Sequence, residues 1–121
     1  MMSWLLVLLT ILFTVYGQIA IKWQVVLAGS LPHDQAAKAL FVIRLLLNPW
    51  IISALIAAFL AAVCWIGAMT KLPLSRAYPF MALNFILVTI FASVLLGESI
   101  TWPKIAGLAL IVGGLVVGSL A

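Results

Sequence analysis

The chain has 121 residues, 68% hydrophobic and 7% charged, with a mean hydropathy of +1.40. A soluble domain is about 45–50% apolar and about 25% charged, so this composition excludes a water-soluble surface and leaves lipid as the solvent. The net charge of +4 comes from basic residues scattered singly between apolar runs, which excludes the basic stripe that nucleic acid needs.

Crossing about 30 Å of hydrocarbon takes about 20 helical residues, so four spans and short connections use up the whole length. The expectation is an all-α membrane protein: one transmembrane domain of four helices over residues 1–121, with no room for a soluble catalytic module. Span one is predicted over about 3–27. Val26-Leu27-Ala28 has the form of a signal-peptide cleavage site. The basic n-region is missing, however, and Gln18 and Lys22 interrupt the apolar run, so the segment reads as a retained helix. Ala28 to Pro32 has turn chemistry. Asp34 to Leu47 reads as a short interfacial helix carrying Lys38 and Arg44, with a continuation of span one or a re-entrant piece as alternatives. Asn48-Pro49 breaks the helix, because a residue before proline is pushed out of the α region.

Span two is predicted over about 50–70, closed by Thr70 to Pro73. Span three is expected as one helix over about 75–96 with Pro79 in its early turns, and Gly97-Glu98-Ser99 forms a polar turn. Span four is expected over about 102–121, opening on Trp102-Pro103, since proline suits a helix's first turn. Trp4, Trp23, Trp50 and Trp102 fall at predicted helix ends, where amphipathic rings prefer the headgroup region; Trp65 lies deep in span two. Lys38, Arg44 and Lys104 on one side roughly balance Lys71 and Arg76 on the other, so charge does not orient the chain.

A cation at mid-bilayer costs about 2.5–3.5 kcal/mol on insertion scales, so polar groups inside spans are functional hypotheses. In span one Thr10, Thr14, Gln18 and Lys22 recur at i,i+4 and share one helix face, which must line a crevice or another helix. Lys22 can alternatively snorkel to the headgroups; Gln18 is too short for that. In span three Pro79 frees a backbone carbonyl, and Asn84 is the deepest amide, suited to a polar ligand or to an interhelical hydrogen bond. Thr89 and Ser93 are expected to bond backbone carbonyls one turn back. Glu98 reads as a solvated loop charge or as an accessory to the site, and Thr14 is a second accessory candidate. Trp65 reads as core packing or as a ligand contact.

No Asp or Glu lies inside any predicted span, which argues against a proton-coupled pump. Gly107, Gly114 and Gly118 form one stripe on span four, where two backbones can approach closely; a subunit interface is the favoured use. His33 and Asp34 sit together in a loop with no nucleophile at defined spacing, and there is no metal-ligand cluster, no phosphate-binding glycine loop and no cofactor motif. Cys64, alone in an apolar run, forms no internal disulfide and reads as a packing residue. An enzyme is not expected.

Gly17-Gln18 with Lys22, Trp65, Leu72-Pro73, Ala77-Tyr78-Pro79, Leu83-Asn84-Phe85, Val88-Thr89, Gly97-Glu98 and Gly107 through Gly113-Gly114 carry a resemblance. The pattern resembles the four-span branch of the drug/metabolite transporter superfamily (small multidrug resistance-like). Within it the chain is most similar to ArnE/ArnF-type flippase subunits for undecaprenyl-phosphate-linked aminoarabinose. The resemblance implies a multi-pass protein of the bacterial inner membrane, working as a homodimer or as a heterodimer with a related four-span subunit. It also implies a lipid-linked sugar phosphate as substrate, among membrane lipids. Lys22 and Arg76 would then hold the phosphate, Gln18, Tyr78 and Asn84 the hydroxyls, and Trp65 a sugar face, while the tail stays in lipid. Small multidrug exporters carry a glutamate in span one where this chain offers Gln18 and Lys22. A drug or polyamine exporter, or a non-transporting partner of another membrane protein, are the rival readings. Lys22 and Arg76 are expected towards opposite membrane faces.

Overall fold

The computed structural model describes residues 2–120. Met1 and Ala121, the two ends of the expected domain, lie outside the described residues. The described chain is helical throughout, with no strand: α1 (Met2–Ala28), α2 (Gln35–Leu46), α3 (Pro49–Met69), α4 (Leu74–Ala77), a 3₁₀ segment (Tyr78–Ala82), α5 (Leu83–Leu96) and α6 (Trp102–Ser119). Four stretches are long and apolar enough to cross a membrane: Met2–Ala28, Pro49–Met69, Leu74–Leu96 and Trp102–Ser119. The near face of the molecule is defined here by the start of α1 and the end of α6, the far face by the end of α1 and the start of α3.

Each boundary has a local cause. Asp34 Oδ2 accepts from the Ala37 amide at 3.3 Å and starts α2. Asn48-Pro49 does more than break a helix. Asn48 is the N-cap of α3, its Oδ1 accepting from the Trp50 amide at 2.8 Å, with Pro49 in the first turn. Gly97 adopts φ 71°, the left-handed cap that L side chains resist, and ends α5 so that α6 turns back. The one-helix expectation for span three is corrected. The segment is α4, five residues of 3₁₀ helix and then α5, with Pro79 inside the 3₁₀ stretch. Proline lacks the amide that would bond the carbonyl four residues back, and the tighter 3₁₀ turn accommodates the loss.

α1 packs along α3, and α5 lies on another side of α1. The α1–α3 seam is made of small residues: Ala54, Ala57 and Ala61 of α3 are buried, and a Cβ on Gly17 would lie 3.3 Å from the Ala54 carbonyl oxygen. In lipid, where apolar side chains gain little by leaving the solvent, such close backbone approach supplies the helix–helix attraction. A second packed region gathers Val7, Ile11, Val15, Ala68 and Ala77, with Trp4, Trp65, Phe80 and Leu87 against it. α6, by contrast, touches mainly the 3₁₀ segment and buries none of its described residues.

Candidate functional site

The polar face of α1 divides into two parts. Thr10 is buried, and its hydroxyl lies 2.8 Å from the Leu6 carbonyl and 3.3 Å from the Ala61 carbonyl of α3. Thr14 donates to the Thr10 carbonyl at 2.7 Å. Gln18 and Lys22 are exposed and take part in no hydrogen bond among the described residues. Yet Gln18 and Lys22 follow the buried Ile11 by seven and eleven residues, spacings that return to nearly the same helix face. That face is therefore covered in the first half of α1 and open in the second.

Sequence inspection did not single out Gln24, Tyr16 or Ser53, which help to tie α1 to α3. Gln24 is buried and accepts from Asn48 Nδ2 at 3.0 Å, so one asparagine both caps α3 and satisfies a buried amide. The Tyr16 hydroxyl meets Ser53 Oγ at 2.7 Å, and Ser53 reaches the Trp50 carbonyl at 2.6 Å. Trp23 and Trp50 stack edge to face at 5.2 Å. The asparagine–proline pair at a helix start was the legible signal for the cap; nothing in the spacing pointed to Gln24 as its partner.

The candidate residues do not converge on one pocket. Arg76 lines a cleft of about 160 Å³ with Trp4, Pro79, Phe80, Leu115 and Ser119, at the near face. Tyr78, exposed, meets the half-buried Trp65 edge to face at 6.1 Å. Lys22 stands beside Trp23, at the far end of α1. Asn84 sits in the first turn of α5, and its Oδ1 is buried with no hydrogen-bond partner among the described residues. Thr89 donates to the Phe85 carbonyl at 2.7 Å, as expected, and with the exposed Glu98 and Lys104 it lines a separate cleft of about 210 Å³. A Cβ on Gly107, Gly114 or Gly118 would meet nothing within 4 Å, although Gly107 is half-buried and Gly118 lines the Arg76 cleft.

An apolar groove of about 360 Å³ runs between α1 and α5, lined by Leu12, Val15, Tyr16, Ile19, Leu87, Phe91 and Leu95. A second hollow of about 250 Å³ shares Ile19 and Leu95 with it and reaches Trp23 and Leu96. None of the four span helices contains an acidic residue.

The family model for EamA-like transporters matches residues 1–120. The chain is 37% identical over 116 residues to the probable 4-amino-4-deoxy-L-arabinose-phosphoundecaprenol flippase subunit ArnE of Pseudomonas aeruginosa, covering 96% of each. It is 32% identical to the corresponding ArnE of Aeromonas salmonicida over 120 residues, 98% of this chain and 99% of the relative. A probable ArnF subunit of Erwinia tasmaniensis is 46% identical over 65 residues, 52% of this chain and 51% of that one. No solved structure matches the chain. These relatives are named as transport subunits rather than enzymes, and four apolar helices make this chain a multi-pass membrane protein. With nearly its whole length matched, the chain belongs to the EamA-like transporter family.

Proposed function

We propose that this protein is a subunit of a flippase that moves a polyprenyl-phosphate-linked sugar across the bacterial inner membrane. The observation that carries the reading is the change along α1 from a covered face at Val7 and Ile11 to an open one at Gln18 and Lys22. A free amide and a free cation beside hydrocarbon suit a headgroup with hydroxyls and a phosphate, and the names of the relatives point to the same substrate class. Arg76 offers a second cation at the other membrane face, so the phosphate can leave one cation for the other. The Asn84 oxygen, buried and without a partner among the described residues, supports a role in accepting a hydrogen bond from the sugar on the way. The missing intramembrane acid argues against proton-coupled export of cations. The bare glycine face of α6 fits a second four-span subunit, identical or related.

The test is headgroup translocation in vesicles made from the co-purified complex. A hydrogen bond to a charged group is worth about 1.5–3 kcal/mol, so Lys22→Gln slows flipping by roughly tenfold to a hundredfold. Lys22→Glu abolishes it. Undiminished flipping with Lys22→Gln and Arg76→Gln combined overturns the reading.

A further inference from the structure

We infer that the groove between α1 and α5 is a binding site for the polyprenyl chain, so that the protein grips the tail of its substrate as well as the head. The inference rests on the flippase reading and departs from the expectation that the tail stays in lipid. Along α1 the groove and its continuation run from Leu12 to Trp23, about 16 Å at the helical rise. That is about half of the 30 Å hydrocarbon thickness, the depth of one leaflet. Its walls are aliphatic and aromatic side chains. One wall is fixed in place, because the Tyr16 hydroxyl is bonded to Ser53 at 2.7 Å and the ring is thereby held at the groove.

The far end decides the occupant. Lys22 follows Ile19 by three residues and Val15 by seven, so it flanks the groove where the groove reaches Trp23. A slot one leaflet deep, apolar along its length and bordered by an exposed cation at headgroup level, is complementary to a single apolar chain ending in a phosphate. A diacyl phospholipid would have to leave its second chain outside this slot. A purely apolar partner helix would leave Lys22 without an anion.

The test uses undecaprenyl phosphate carrying a photoreactive diazirine in its chain, added to the full protein solubilised together with any co-purifying subunit. After irradiation, adducts mapped by mass spectrometry are expected on Leu12, Val15, Leu87 and Phe91, not on the exposed Phe59 of α3. Ile19→Trp, which fills the slot, removes most of them; Phe59→Trp leaves them unchanged. Adducts spread evenly over lipid-facing residues overturn the inference. Loss of adducts to an excess of phosphatidylglycerol assigns the groove to bulk lipid, and absence of any adduct there, as a seated helix of a second subunit would give, also overturns it. Groove adducts in a protein that flips nothing count against the flippase reading alone; flipping with adducts elsewhere counts against the groove alone.

Discussion

The carbonyl oxygen of Asn84 is buried without a partner, a condition that costs about 1–3 kcal/mol in a folded protein. That cost fits the sugar-binding role proposed for Asn84. Replacing it with an apolar side chain of similar size separates the two roles. Asn84→Leu is expected to raise thermal stability in detergent by about 1 kcal/mol or more while lowering the flipping rate. A fall in stability would mean that the amide is structural. Gln24 and Asn48 show the opposite case: both amides are satisfied at 3.0 Å, and they serve the packing of α1 on α3. The same residue types thus have different meanings, and the presence or absence of a partner tells them apart.

Among the helices, two small-residue stripes are used differently. Ala54 of the α3 alanine stripe meets Gly17 of α1 inside the chain, whereas a Cβ added to the α6 glycines would meet nothing within 4 Å. Sequence inspection found the second stripe and passed over the first, because glycine spacing is conspicuous and alanine in an apolar span is not. The contrast gives a prediction for α6. A Cβ at Gly114 would meet nothing within 4 Å outside its own helix, so Gly114→Leu is expected to leave the fold and its melting temperature unchanged. Crosslinking between subunits and flipping are lost together. A destabilised monomer would instead place α6 against its own chain. The proline-centred 3₁₀ turn was legible as a disturbance at Pro79 but not in its extent, because proline specifies which amide is missing and its neighbours decide how the helix relaxes.

On the scale of the whole molecule, packing is one-sided. Val7, Ile11, Ala68 and Ala77 fill the bundle towards the near face, while the face of α1 that they cover emerges exposed at Gln18 and Lys22. An asymmetric bundle of this kind offers water or headgroups a way in from one side. In a Cys64→Ser background, Gln18→Cys and Lys22→Cys are expected to react with a membrane-impermeant maleimide added at the far face. Val7→Cys and Ile11→Cys are expected to stay unreactive from either side. Labelling of Ile11→Cys as fast as Lys22→Cys would remove the asymmetry on which the functional reading stands.

Composition by itself determined the solvent, and length divided by the helical rise determined four crossings, because lipid leaves no alternative to helices that satisfy their own backbones. Caps and breakers determined where the helices begin and end, since those bonds are local. The i,i+4 polar series announced that one face of α1 is special. Tertiary structure alone decided that Thr10 is buried against α3 while Gln18 and Lys22 make no hydrogen bond among the described residues, and that an apolar groove is left between α1 and α5. The reason is that covering a helix face takes a neighbour at contact distance. Which neighbour arrives, and where it falls short, depends on side-chain volumes in several helices at once rather than on the periodicity of any one.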